Sequence, residues 1–309
     1  MDVIRNSDIT ITPETIYRRY EALAQRVATE EEDLLPGLPI EDTQRLDDVL
    51  RGCITDWENE RKSLRTTAVV NALGHAVDGT VPTVCLDVLV SLDAVINVLD
   101  DIIDDSAPSK ADKIGYTANA AFATTLLYGS LPDSVRERAT EQLFEYLTQL
   151  FQTPRVESEL LAGMQRKTSR EDQVAVATEI YQYRGLDIDA FVELALLLYT
   201  DSTQSDMEPS VRQALHEDLV TYRARRLLFK DVYDIQRDYR DDDVTPVLAR
   251  VEATGDPAVV ETFITDISNQ FSYSAHSHDT YRSLLLYLER RPESLSEELS
   301  RQMAACAEL

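Results

Sequence analysis

Apolar residues recur at helical spacing along almost the whole chain, and the two-residue alternation of a half-buried strand is hard to find. The strongest case runs from Leu86 to Ile103, where Leu89, Leu92, Val95, Ile96, Leu99 and Ile102 leave few polar faces. A helix apolar on nearly all sides is one buried in a bundle. Thr12-Pro13-Glu14 reads as an N-cap followed by proline at the first helical position, opening a helix toward Glu32. Leu35-Pro36-Gly37-Leu38-Pro39 is a loop. The spacing then predicts helices over 41–61, 63–77, 83–105, 111–129 and 133–151. After a loop near Pro154, others are expected over 156–166, 170–200, 209–241, 257–273, 279–290 and 294–307. Ser294 with Glu297 forms a capping-box pattern for the last. Glycine and proline are scarce, and no repeat or low-complexity linker divides the sequence. The expectation is all-α, a single domain over 1–309 made of about 10–13 helices.

The buried segment has an anomalous end. It closes on Asp100-Asp101-Ile102-Ile103-Asp104-Asp105, with Asp100 over Asp104 and Asp101 over Asp105. Like charges at that spacing repel, and a helix C-terminus is the wrong end of the dipole for anions. A fold tolerates this when a cation fills the site. A second cluster, Asp231, Asp234 and Asp238, lies at i, i+3 and i+7 on the predicted helix 209–241, and Asp241 extends it. Arg223, Arg225, Arg226, Lys230 and Arg237 stand around it. Carboxylates for a hard cation and cations for phosphate are mixed on one helix.

Charge narrows the partners. With 56 acidic and 30 basic side chains the net charge is −26, spread through the sequence, which argues against nucleic acid. Lys62, Lys110, Lys113, Lys167 and Lys230 are the only lysines. An acidic, lysine-poor surface resembles proteins of a salt-rich cytoplasm, where the Debye length falls to about 3 Å and self-repulsion is screened. Cys53, Cys85 and Cys306 form no CxxC pair, so neither a disulfide framework nor a zinc site is expected. Residues 1–12 lack the features of a signal peptide, and no apolar run is long enough for a membrane span. The expected compartment is the cytoplasm.

These motifs resemble the class I isoprenoid synthases, which include trans-polyprenyl diphosphate synthases, squalene and phytoene synthases, and terpene cyclases. The resemblance covers about residues 45–245. Leu99 to Ser106 resembles the first aspartate-rich motif of polyprenyl synthases. Arg61-Lys62-Ser63-Leu64-Arg65 is similar to their GKxxR motif for isopentenyl diphosphate, with Lys62 and Arg65 matching. Asp93 stands near where that family uses histidine, and the arginine pair that usually comes after the first motif is absent. The second motif fits three registers: Asp234 in the synthase pattern, Lys230, Asp234 and Asp238 in the cyclase triad, and Ile235 to Asp242 in the squalene or phytoene synthase pattern. Arg184-Gly185-Leu186-Asp187 interrupts the helix 170–200 and resembles the cyclase diphosphate sensor and linker.

The resemblance implies a bundle around a central apolar cavity and two or three Mg²⁺ per site. Asp100, Asp101, Asp104, Asp231, Asp234 and Asp238 would hold the metal, with Asp100, Asp101, Asp104 and Arg184 catalytic. Lys62, Arg65, Arg184, Lys230 and Arg237 would bind substrate. The first reading is a prenyltransferase condensing an allylic isoprenoid diphosphate with isopentenyl diphosphate to a linear polyprenyl diphosphate, and a homodimer is compatible with it. The alternatives are a terpene cyclase or head-to-head synthase, and a non-catalytic regulatory subunit. The four histidines, His75, His216, His276 and His278, have no ligand spacing to one another.

Overall fold

The computed structural model describes residues 65–77, 79–104, 110–274 and 279–306, together with positions 15, 18, 19, 21–23, 25, 26 and 29. For some helical residues, 97, 98 and 100–104 among them, only the backbone is described. Helix accounts for 84% of the structure and no strand is present among the described residues, so the fold is all-α. The described positions from 15 to 29 are helical. The expected helix 41–61 lies outside the described residues, as do Cys53, Lys62 and Asp105. No helix among the described residues is long and apolar enough to cross a membrane.

Contacts gather the chain into two compact units. The first comprises Arg5–Gln142 and Phe191–Met207. It holds α1 (Arg65–Ala76), α2 (Thr83–Asp104) and α3 (Lys110–Ser130), the start of α4 (Arg136–Gln165), and most of α6 (Asp189–Thr203). Its core is aliphatic: Val69, Leu73, Leu89, Leu92 and Ile96 are buried, with Phe191 and Leu198. The apolar run of α2 is therefore used as its sequence requires. Thr66 Oγ1 on α1 donates to the Leu89 carbonyl on α2 at 3.2 Å.

The second unit comprises Leu143–Ala190 and Glu208–Leu309. It contains α5 (Arg170–Gly185), α7 (Pro209–Asp241), α8 (Pro246–Thr254), α9 (Pro257–Gln270), α10 (Asp279–Leu288) and α11 (Leu295–Cys306). The 33-residue α7 is its spine, and α5, α8, α10 and α11 all pack on it. Pro209 sits in the first turn and no glycine or proline interrupts the later turns, so the helix runs about 50 Å. It stops where Asp242 adopts a left-handed conformation, φ 59°. Tyr181, Leu228, Phe229, Val232, Phe263, Ile264 and Leu299 fill the space between these helices.

Two expectations need correction. The loop near Pro154 is absent, because α4 continues through that proline to Gln165. Pro154 removes one N–H and normally breaks a helix interior. Here neighbouring Phe151 and Arg155 are exposed, so water can reach the carbonyl freed one turn earlier. The nine-residue α8 was not anticipated, although Thr245 caps it by accepting from Leu248 N at 3.1 Å and Pro246 opens it.

Candidate functional site

The long helical stretch 170–200 breaks after Arg184, as its Arg-Gly pair predicted. Ser169 caps α5 by accepting from Asp172 N, and α5 ends at Gly185. A 3-10 turn, Leu186–Ile188, then leads into α6. Gly185 permits a tight approach to α7: a Cβ there would lie 3.1 Å from Ala224 N and Val220 O. The close packing brings the last turn of α5 against the middle of α7.

Arg184 spans that contact. Its Nη1 donates to Asp231 Oδ2 at 2.6 Å and its Nη2 to Oδ1 at 3.3 Å. Tyr181, one turn earlier on α5, donates its hydroxyl to the same Oδ2 at 2.8 Å. The guanidinium also stacks over the Tyr181 ring, 5.5 Å from its centroid. Glu157 on α4 approaches Arg184 Nε at 3.6 Å. Asp231 and Tyr181 are buried, and the Arg184 side chain is 15% exposed.

Further along α7 the pairing continues in sequence. Lys230 Nζ lies 3.7 Å from Asp234, and Arg237 Nη2 lies 3.0 Å from both Asp234 and Asp238. The predicted residues thus fall into two groups of ion pairs, Arg184 with Asp231 between α5 and α7, and Lys230, Asp234, Arg237 and Asp238 along α7. Asp241 joins neither. It is exposed and pairs with Arg240 at 2.8 Å, so it does not extend the stripe as the spacing suggested.

Burial and crowding set the protonation behaviour. Burial, then Asp231, push the Asp238 carboxyl up to about 7 against the pull of Arg237. Burial raises Glu157, opposed by Arg184. Burial also disfavours the Arg184 charge, but Asp231 and Glu157 outweigh it and hold that guanidinium firmly protonated. Lys230 is lowered by burial, with Asp234 and Asp231 acting in the opposite sense.

Below this cluster a second clamp fixes the break. Arg223 Nε and Nη2 donate to the two oxygens of Asp187 at 2.7 and 2.6 Å. Tyr146 on α4 donates to the Asp187 carbonyl oxygen at 3.1 Å. His216 faces Asp189 at 3.0 Å, where the 3-10 turn passes into α6.

In the other unit, Arg65 Nη1 donates to Asp93 Oδ1 at 3.0 Å. Both side chains are buried, 10% and 1% exposed, and the guanidinium lies 5.8 Å from the Phe191 ring centroid. The cation matched to an isopentenyl diphosphate motif is therefore partnered by the aspartate that stands where a histidine was expected. Asp100, Asp101 and Asp104 occupy the last turn of α2, but their side chains lie outside the described ones. At about 100° per residue, Asp93, Asp100 and Asp104 share one stripe of α2. A cavity of about 510 Å³ lies against Asp87, Val90 and Ser91, a different stripe, and is lined also by Arg18, Arg19 and Arg26.

Among the described residues, no three carboxylate, histidine or cysteine side chains converge as a ready cation cage. The reason is visible on α7, where Asp231, Asp234 and Asp238 each turn toward a protein cation. In kind the donors suit magnesium, being hard carboxylate oxygens on one helical stripe. Asp231 is engaged by Arg184, so it could take a cation only by giving up that partner in exchange. A metal-bound diphosphate is the kind of ligand that would permit such an exchange, since its oxygens could accept from the guanidinium while the cation took the carboxylate.

Sequence reasoning missed two members of this site. Tyr181 was findable, because it sits at i−3 from Arg184 and so on the same helical face. Glu157 was not. It stands 27 residues before Arg184 on a helix that Pro154 had seemed to interrupt.

Compared with known proteins, the chain matches no family model, no curated protein and no solved structure.

Proposed function

We propose that this chain is a Mg²⁺-dependent enzyme that ionises an allylic isoprenoid diphosphate. The observation that carries the reading is the Arg184–Asp231 pair, at 2.6 Å between the last turn of α5 and the middle of α7. It would join a phosphate-binding cation to a metal-binding carboxylate at one largely buried point. In this reading Asp231, Asp234 and Asp238 would hold metal, and the resemblance gives Asp100, Asp101 and Asp104 on α2 the same kind of role. Magnesium would neutralise charge on the diphosphate leaving group as the allylic C–O bond breaks. Arg184, Lys230 and Arg237 would donate hydrogen bonds to the diphosphate oxygens, and the chemistry requires apolar surroundings that keep water from the carbocation. No general base is needed for ionisation.

Condensation with isopentenyl diphosphate, giving a linear polyprenyl diphosphate, is the fate suggested by Lys62 and Arg65. A second fate is favoured by a specific observation. Arg65 is already matched by Asp93, so the second diphosphate has lost one of its two candidate cations. Cyclisation or head-to-head coupling needs no isopentenyl site, and the broken helix at Arg184 resembles the cyclase arrangement. Incubation with Mg²⁺ and geranylgeranyl diphosphate, with and without isopentenyl diphosphate, separates these outcomes. A longer diphosphate indicates condensation, while a hydrocarbon or alcohol without isopentenyl diphosphate indicates the second fate. Inertness under both conditions, in low and in molar salt, overturns the reading and favours a non-catalytic relative.

A further inference from the structure

Arg184 has one direction of donation that the exchange at Asp231 does not use. Its two terminal nitrogens face Asp231, and its Nε faces Glu157 on α4 at 3.6 Å. That distance makes an ion pair without a hydrogen bond of good geometry. The guanidinium is thus held by two carboxylates on two different helices, on separate edges of its rigid fork. Glu157 is 23% exposed, less than most glutamates, and its own carboxyl is raised by burial. Something must offset that penalty in the folded protein, and Arg184 is the nearest cation.

When Asp231 turns to a metal, Arg184 loses its closest counter-charge while remaining largely buried. A guanidinium in that position either moves toward solvent or is kept by a remaining carboxylate. We propose that Glu157 is a positioning residue for diphosphate: it retains Arg184 through Nε so that both terminal nitrogens face the phosphate oxygens once Asp231 releases them. This rests on the reading of the site as a metal-diphosphate site. It adds a residue from α4 that the acidic motifs do not include.

The sign of the effect separates positioning from simple charge. A carboxylate that merely stood near the ligand would repel diphosphate, and its removal would tighten binding. A carboxylate that aims Arg184 must weaken binding when removed. The test is calorimetric titration of the full-length protein with inorganic diphosphate in Mg²⁺, a readout that needs no turnover. Glu157→Gln should bind about tenfold more weakly than the parent, with its melting temperature little changed. Glu157→Asp keeps the charge but withdraws it from Nε by one methylene, and should fall between the two. In an Arg184→Gln background, Glu157→Gln should have little further effect, because the two act as one unit. Unchanged or tighter binding by Glu157→Gln, while the parent binds magnesium diphosphate, overturns the role of Glu157 alone. No binding by the parent overturns the site reading and this inference with it.

Discussion

Arg223 grips Asp187 through two hydrogen bonds of 2.7 and 2.6 Å, and so ties the 3-10 turn after Arg184 to α7. Eight positions further along the same helix, Asp231 holds Arg184 itself. The break is therefore fastened to α7 on both sides, with Gly185 pressed against Ala224 between the two fastenings. A helix interruption secured in this way presents its terminal arginine in one defined place.

Arg223→Ala should lower stability by about 3 kcal/mol, because it leaves Asp187 with its closest counter-charge removed in a site only 15% exposed. Urea unfolding of the single variants and of the double variant with Asp187→Ala measures the coupling. A coupling below about 0.5 kcal/mol would show that the pair does not fasten the break.

Gly185→Ala tests the close approach by sterics alone. Its φ is −65°, so alanine fits the backbone, and propensity by itself would favour the change. Contacts of 3.1 Å to backbone atoms of α7 outweigh that gain, since backbone cannot swing aside. A loss of about 1–3 kcal/mol is expected in thermal or urea unfolding, together with weaker diphosphate binding. A stabilised variant would contradict the packing described for α5 and α7.

Arg65 and Asp93 should behave as a structural pair. Asp93→Ala leaves a guanidinium largely buried beside Phe191 and is expected to destabilise by about 3 kcal/mol. If the chain does condense isopentenyl diphosphate, Arg65→Ala should reduce stability more clearly than it raises KM for that substrate. A large KM effect with unchanged unfolding would restore Arg65 to the isopentenyl site.

Much of this was legible in the sequence, and the residues show why. The bounds of α7 come from Pro209 at its start and from an uninterrupted apolar periodicity up to Asp241. Arg184-Gly185 marked the break because glycine is a poor helix former and here permits a contact that a Cβ would crowd. Pro154 misled, since a proline on a solvated face can stay within a helix. The nine residues of α8 were hidden behind the acidic run Asp241 to Asp243, which reads as a solvated surface. Glu157 enters the site through packing between helices, and no linear spacing encodes that. Pairing was also hidden: an acidic stripe reads as a metal site, yet Asp231, Asp234 and Asp238 each meet a protein cation first.

The net charge of −26 predicts that stability rises with salt as self-repulsion is screened. Melting temperature should climb from low ionic strength to molar potassium chloride. A flat dependence would remove the case for a salt-adapted surface.

Asp100→Ala and Asp104→Ala should each abolish turnover while leaving the fold intact or slightly more stable, because like charges crowd the last turn of α2. Circular dichroism and unfolding check the fold, and product analysis checks the turnover. Activity equal to the parent at saturating Mg²⁺ would remove these aspartates from the site.

The most direct test of the Arg184–Asp231 site is release of diphosphate from geranylgeranyl diphosphate by the parent and by Asp231→Asn, with Mg²⁺ and with a chelator. The parent should release diphosphate only when Mg²⁺ is present. Asp231→Asn, which keeps the shape but loses the carboxylate, should fall by at least about a hundredfold while remaining folded. Release that survives chelation, or a rate in Asp231→Asn equal to the parent, would contradict the proposed chemistry at this site.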